Sequence, residues 1–141
     1  MRICVVDSSF AAGWIFDDES NEPARALLER LRRNRQDTIV VPAVLWALEL
    51  RNVLRTAVRR RRLSTTEAEQ RRTCLLAVPR VVVACPHGLG DPLDALIRTF
   101  DLTSYDAAYL SVAHEVGLPI ATCDDDLAAA AEQLGVGRYR A

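Results

Sequence analysis

The sequence contains no lysine: all 18 of its basic side chains other than histidine are arginines. This absence excludes Schiff-base chemistry, a pyridoxal-phosphate anchor and a lysine-containing phosphate-binding P-loop, each of which needs a lysine amine. It also disfavours enzymes that phosphorylate an aspartate with the help of a neighbouring lysine. The base composition of the source genome would explain the arginine usage without functional pressure, and the exclusions hold either way.

Other absences narrow the class of protein further. The four cysteines form no C-x-x-C pair and have no histidine cluster beside them, so a structural zinc site is not expected. No apolar run approaches the roughly 18 residues of a membrane span, and the N-terminus lacks the apolar region of a signal peptide. We therefore expect a cytoplasmic protein without a membrane partner, and one globular domain over residues 1–141.

The sequence alternates short apolar runs with longer segments of helical period. Strands are predicted at 3–6, 38–41, 80–84 and 119–123, with a weak one near 138–140. Helices are predicted over 23–34, over 43–61, from a Ser64–Glu67 capping box to 76, from Asp91 and Pro92 onwards, from a Thr103 cap to 116, and over 125–134. This alternation predicts an α/β fold with a parallel sheet covered on both faces.

Two aspartates follow predicted strands directly. Asp7 comes after the first strand and Asp124 after the fourth, so both are expected at the carboxyl edge of the sheet, where ligands bind in such folds. Each also has an ordinary structural explanation. Asp7 would close an Asx turn, and Asp124 would cap the helix that follows it.

Two more carboxylates lie on apolar helix faces. Glu49 shares its face of the 43–61 helix with three apolar residues, and burying an unpaired carboxylate is unfavourable. The alternative is a boundary glutamate paired with Arg51 or Arg55. Asp106 also lies on an apolar face, although Thr103-x-x-Asp106 would equally act as a helix cap.

These four acids are predicted to converge at one edge of the sheet. Like charges that lie close together repel, and a divalent cation would relieve that repulsion. Oxygen ligands without histidine or cysteine indicate Mg²⁺ or Mn²⁺ rather than zinc. Sites of this kind usually serve phosphate chemistry by activating a water molecule.

The segments around these acids resemble those of the PIN-domain ribonucleases, most closely the VapC-type toxins of bacterial toxin–antitoxin pairs. The matching segments are VVDSS (5–9), PAVLWALELRNVL (42–54) and LTSYDAAYLSVAHEVGLPIATCDDDL (102–127). The resemblance implies that the catalytic, metal-binding residues are Asp7, Glu49, Asp106 and Asp124. It implies supporting roles for Ser9, Asn52 and Thr122. Asp126 is the candidate for an extra acid, whereas Asp125 is expected to be solvated.

The resemblance also implies a fold and an activity. The fold is a three-layer α/β/α sandwich with a central, mostly parallel sheet, forming a single PIN-like nuclease domain over residues 1–141. The activity is Mg²⁺-dependent endoribonuclease cleavage of single-stranded RNA, with Mn²⁺ as a substitute and with 5′-phosphate and 3′-hydroxyl products. The expected partners are the RNA substrate, a cognate antitoxin protein and a second copy of the chain in a homodimer.

Three questions stay open at this point. Arg59, Arg60, Arg61 and Arg62 end the long helix, either as a solvated terminus favoured by the helix dipole or as contacts to RNA or antitoxin. An aspartate-nucleophile phosphatase using Asp7 is a rival function that the missing lysine disfavours. A non-enzymatic nucleic-acid- or protein-binding module, with the acids as structural caps, is the other rival.

Overall fold

The sheet at the centre of the molecule has four parallel strands. The structure is a computed structural model and describes residues 1–85, 88–90 and 92–141. The strands are β1 (Arg2–Val6), β2 (Thr38–Pro42), β3 (Arg80–Val83) and β4 (Ile120–Ala121). Their order is β3-β2-β1-β4. Because the two inner strands are buried at nearly every position, both faces of the sheet are covered.

Helices flank this sheet. They are α1 (Ser8–Ala12), α2 (Glu22–Arg33), α3 (Leu45–Arg59), α4 (Thr65–Leu76), α5 (Leu93–Phe100), α6 (Ser104–Val116) and α7 (Asp125–Leu134). A single 3-10 turn spans Asp17–Glu19. The α/β fold class and the central parallel sheet predicted from the sequence are therefore confirmed.

The predicted helix caps form as the sequence indicates. Ser64 and Glu67 make a reciprocal capping box at the start of α4. The Thr103 side chain accepts a hydrogen bond from the backbone of Asp106, and Gly117 ends α6 in the left-handed conformation. The predicted cap at Asp91 lies outside the described residues, and α5 itself starts at Leu93.

Several elements differ from the sequence predictions, among them the end of α3 at Arg59 rather than at 61. The helix α1 was not predicted, because it is only five residues long and depends on its cap. The helix α3 begins at Leu45 rather than at 43, since Val44 adopts a positive φ of 66°. The strand β4 is shorter than predicted and spans only Ile120–Ala121. The weak last strand is a single bridge between Ile120 and Arg138.

The helix α6 lies at the centre of the packing. All seven residues from Ala107 to Ala113 are buried, and the helix contacts β1, β2, β4, α5 and α7. A helix buried this completely is fixed in position by its neighbours, so the residues on its first turn are also held in place. Among the described residues, none of the helices has the length and apolar character that crossing a membrane requires.

Candidate metal centre

Asp7 occupies the junction between β1 and α1. Its side chain is almost fully buried, with a residue exposure of 4%. The carboxylate accepts hydrogen bonds from the Phe10 amide at 2.8 Å, from the Ser9 hydroxyl at 2.8 and 2.9 Å, and from the Thr122 hydroxyl. Asp7 is thus the N-cap of α1 and at the same time the residue at the carboxyl end of β1. Asp7 therefore lies at the carboxyl edge of the sheet as expected, and its local structural role is that of a helix cap rather than the Asx turn suggested by the sequence.

Thr122 links the two strand ends. Its hydroxyl donates to Asp7 and accepts a hydrogen bond from the backbone amide of Asp124 at 3.0 Å. Asp124 in turn caps α7 by accepting from the Leu127 amide at 2.9 Å. The ends of β1 and β4 are therefore tied together by side chains, and the two aspartates that follow them lie at one edge of the sheet.

Glu49 reaches the same edge from α3. It is half-buried, and its carboxylate accepts a hydrogen bond from the hydroxyl of Tyr109 on α6. The Ser8 hydroxyl also lies near this carboxylate and acts to lower the pKa of Glu49. Within the described residues Glu49 forms no ion pair with Arg51 or Arg55, so the alternative of a surface ion pair does not hold.

Asp106 lies on the first turn of α6, half-buried beside the edge. Thr103 Oγ1 accepts a hydrogen bond from the Asp106 amide at 3.2 Å, so the predicted capping contact forms. That contact fixes the start of the helix and with it the place of the carboxylate. The cap and the site position are compatible, as they are for Asp7.

The electrostatics connect these acids. Burial is the largest cause raising the pKa of Asp7, Glu49 and Asp106 above their usual values. The charge of Asp106 raises the pKa of Asp7 further, and the charges of Asp7 and Asp106 do the same for Glu49. Asp124 and Asp126 act on Asp106 in the same direction. Asp7, Glu49 and Asp106 are therefore electrostatically linked, and Asp124 and Asp126 are linked to them through Asp106.

Asp125 behaves differently from its two neighbours. Its side chain is 92% exposed and lies 3.4 Å from the guanidinium of Arg138. It does not contribute to the raised pKa of Asp106, for which Asp124 and Asp126 are responsible. Of the three consecutive aspartates, only these two act on the other acids.

The donor set fits a hard divalent cation in its chemistry. All these groups are carboxylates, and a bound cation would stabilise their ionised forms against both burial and mutual repulsion. In the described parts of the chain, however, no three or more Asp, Glu, His or Cys side chains are arranged so that they could hold an ion. The hydrogen bonds of Asp7, Glu49 and Asp124 hold each carboxylate in its own place.

Two contributors to the site were not predicted. Tyr109 supplies the hydroxyl that holds Glu49, and the Ser8 hydroxyl lies near the same carboxylate. A signal for Tyr109 was present, since a tyrosine on a buried helix face usually needs a partner for its hydroxyl. No comparable signal marks Ser8, which is one of two adjacent serines after Asp7.

The predicted supporting residues fall into two groups. Ser9 and Thr122 contact Asp7 directly. Asn52 is exposed on α3 and, in the part of the chain that the structure describes, makes no hydrogen bond to Glu49. It lines a neighbouring cavity between α1 and α3 instead.

The four consecutive arginines, Arg59 to Arg62, have two different environments. Arg62 pairs with Asp18 and Glu19, at 3.0 Å in each case, and its guanidinium lies 3.8 Å from the centre of the Phe16 ring. The other three arginines are exposed and form no ion pair among the described residues; they are Arg59, Arg60 and Arg61. Arg62 is thus paired within the chain, whereas the first three arginines form no ion pair with another described residue.

Comparison with known proteins identifies the family to which this chain belongs. Residues 4–133 match the family model of the PIN domain, so the chain belongs to the PIN domain family. PIN domains are generally metal-dependent nucleases. This agrees with carboxylates gathered at the carboxyl edge of a parallel sheet.

A solved structure supports the fold independently. The chain is similar to PAE2754 from Pyrobaculum aerophilum, known from a crystal structure, with 25% sequence identity and a TM-score of 0.66. The match covers 91% of this chain and 78% of that one. No curated protein sequence matches the chain.

Proposed function

We propose that the protein is a Mg²⁺-dependent endoribonuclease that acts as the toxin of a toxin–antitoxin pair. The observation that carries the nuclease part is that Asp7, Glu49 and Asp106 lie partly or fully buried at the carboxyl edge of a PIN-domain sheet, where the charge of Asp106 raises the pKa of both Asp7 and Glu49. Carboxylates that are buried within reach of one another's charge are suited to a bound cation.

The residues proposed to hold the cation are Asp7, Glu49, Asp106 and Asp124. When bound, Mg²⁺ would neutralise the phosphate charge and activate a water molecule, and Mn²⁺ would substitute for it. The chain itself prepares the site. Three donors keep the Asp7 carboxylate in one orientation, and the Tyr109 hydroxyl orients Glu49. Such hydrogen bonds fix ligand geometry and favour the ionised carboxylate.

RNA is the proposed substrate. Apart from the four site acids the chain is net basic, and every basic contact except those of histidine would come from arginine. The arginine guanidinium is planar and can donate to two phosphate oxygens at once. A basic surface around an acidic, metal-binding site suits a phosphodiester substrate.

The decisive experiment compares matched carboxamide variants. Asp7→Asn and Asp106→Asn are purified beside the parent and assayed on RNA with Mg²⁺, Mn²⁺ or EDTA. Asp125→Asn is the control, because it removes one carboxylate that is solvent-exposed. We expect cleavage by the parent and the control only, and none in EDTA. Equal cleavage by all four proteins, or cleavage indifferent to EDTA, would contradict the proposal.

The toxin role needs a separate test, because it rests on the resemblance of segments 5–9, 42–54 and 102–127. Induction of the parent should stop growth, and Asp7→Asn should not. Co-expression of a small protein encoded beside this gene should restore growth, and it should co-purify with the chain. The expected assembly is a homodimer of this chain bound to that antitoxin. Growth arrest by Asp7→Asn equal to that of the parent would contradict the toxin role while leaving the nuclease proposal intact.

A second candidate is a non-enzymatic binding module on the same fold. The observation that favours it is that no three of the acids form a ready cluster within the described residues. Under this alternative, RNA would bind without being cleaved at any metal concentration. The phosphatase alternative is weaker, since the chain belongs to a nuclease family and has no lysine. Trapping a phosphorylated Asp7 would support it.

A further inference from the structure

A cavity of about 450 Å³ lies between α1 and α3, next to the acids. We propose that it binds the nucleotide adjacent to the scissile phosphate of single-stranded RNA, with Arg60 as the contact to that nucleotide's phosphate. The inference rests on the proposed nuclease function and assigns a substrate subsite to it. The polar residues that line the cavity are Ser8, Ser9, Glu19, Asn52, Thr56, Arg60 and Arg62, and Glu19 among them is paired with Arg62.

The cavity is continuous with the candidate metal centre. Ser9 donates to the Asp7 carboxylate at 2.8 Å, and the Ser8 hydroxyl interacts with Glu49. Both serines also line the cavity. A strand whose phosphate lies at the acids therefore has this cavity as an immediate neighbour, separated from the acids by no more than two hydroxyl groups.

One face of α3 supplies the cavity with polar groups. Asn52 and Thr56 are four residues apart and so lie along the same side of α3, and Arg60, the C-cap residue that follows the helix, lines the same cavity. All three are exposed, and none has a side-chain hydrogen bond or ion pair among the described residues. Their donors and acceptors are thus free for a ligand.

Arg62 lines the same cavity in a different role. Its guanidinium is shared between Asp18 and Glu19 and lies on the Phe16 ring, so its charge is already neutralised. It forms a wall of the cavity rather than a binding group. Arg60 is therefore the cavity-lining cation whose charge is not already paired within the described residues.

The chemistry of the lining fits RNA. The acids repel any phosphate that is not held by the metal. An RNA strand bound at the acids is therefore stabilised if a positively charged side chain lies within one nucleotide of them. Arg60 would bind that phosphate, and the Asn52 amide and the Thr56 hydroxyl would hydrogen-bond to the sugar or base. The volume lies in the range of small-ligand sites, about 300–1,000 Å³. The open side of the cavity faces solvent, from which an unpaired nucleotide of a single strand could enter beside the acids.

The test uses two neighbouring arginines. Arg60→Gln removes the proposed contact, and Arg59→Gln removes the same charge from an adjacent exposed residue of α3 that does not line the cavity. Binding of a short fluorescein-labelled single-stranded RNA is measured by anisotropy in EDTA, where the proposed cleavage cannot occur. We expect Arg60→Gln to weaken binding about tenfold, because it removes a charge-assisted hydrogen bond. The slope of log affinity against log salt should fall by about 0.7, which corresponds to one phosphate contact on a single strand. Arg59→Gln should change both quantities much less.

Two further measurements separate this inference from the proposed function. With Mg²⁺ present, Arg60→Gln should raise KM about tenfold with little change in kcat. Asn52→Ala should alter which nucleotide is preferred beside the cut. Equal effects of Arg59→Gln and Arg60→Gln on a parent that does cleave RNA would overturn the subsite and leave the nuclease intact. Loss of binding confined to Arg60→Gln, in a protein that cleaves nothing, would uphold the cavity as an RNA site and overturn the nuclease.

Discussion

The hydroxyl of Tyr109 donates a hydrogen bond to the carboxylate of Glu49. The tyrosine lies on the buried face of α6, with an exposure of 1%, and the glutamate lies on α3. The bond therefore fixes a half-buried acid to the most tightly packed helix of the molecule. Because Asp106 lies one turn earlier on the same helix, α6 positions one candidate ligand directly and a second through Tyr109.

Replacing this tyrosine tests its role as a positioning residue. Tyr109→Phe keeps the ring in the core and removes only the hydroxyl. We expect a loss of about 1.5–3 kcal/mol in the free energy of unfolding, since one hydrogen bond to a carboxylate disappears. The Mg²⁺ concentration for half-maximal cleavage should rise by roughly tenfold, as for other residues that orient a metal ligand. Urea unfolding and a metal titration of activity measure the two effects.

The same helix provides the control for that experiment. Tyr105 is 62% exposed and forms no side-chain hydrogen bond among the described residues. Tyr105→Phe should leave both the stability and the metal requirement unchanged. If Tyr109→Phe lowered stability but left the metal requirement at the parent value, the tyrosine would have a structural role only.

Most of the fold could be predicted from the sequence, because the relevant signals are local. The period of apolar residues places the helices and strands, and side chains such as Ser64 and Thr103 determine where two helices begin. Two features that the sequence did not predict, the helix α1 and the start of α3, also have local explanations. The helix α1 is too short to show a period, and the late start of α3 depends on a positive φ at Val44, which is unusual for a β-branched residue.

The site could be predicted only in part. Asp7 and Asp124 were found because strand ends are visible in the sequence, and parallel strands place those ends at one edge. The bond from Tyr109 to Glu49 joins residues 60 positions apart. Its existence depends on how α3 packs beside α6, and helical spacing alone does not show that. Helical spacing also suggested Asn52, one turn after Glu49, as its hydrogen-bond partner. Among the described residues the two side chains form no hydrogen bond.

Thr122 is expected to couple the two strand ends through its hydroxyl. The hydroxyl donates to Asp7 and accepts from the Asp124 amide, and the residue is only 2% exposed. Thr122→Val keeps the shape and leaves both partners without this contact, so we expect a loss of about 1–3 kcal/mol in the free energy of unfolding. Cleavage should fall with it. Thr122→Ser restores the hydroxyl and should recover most of both; if it recovered neither, the packing of the methyl group would be responsible.

Replacing each of the three consecutive aspartates by asparagine should affect RNA cleavage to a different extent. Asparagine also caps helices well, so Asp124→Asn should retain α7 while removing the charge. We expect it to reduce cleavage on the order of 100-fold, and Asp126→Asn about tenfold, by analogy with ligand and outer positions of metal sites. Asp125→Asn should have no effect. Circular dichroism checks that the variants fold, and the assignment is wrong if Asp125→Asn proves the most damaging of the three.

Acid sensitivity should arise in part from a pair far from the site. Asp37 is buried and accepts a hydrogen bond from Arg30 at 2.8 Å, and this contact holds the pKa of Asp37 below its usual value. A carboxyl with a lowered pKa in the folded state stabilises the protein above its unfolded pKa, about 3.9, and this contribution is lost as the pH falls through the folded value. Asp37→Asn should therefore lower the urea midpoint at neutral pH, and its difference from the parent should shrink as the pH falls below the unfolded pKa. Glu29→Gln, which breaks an exposed pair with Arg33, is the control and should cost at most about 1 kcal/mol throughout. A deficit in Asp37→Asn that stayed constant with pH would mean that the loss comes from packing and not from the charge of Asp37.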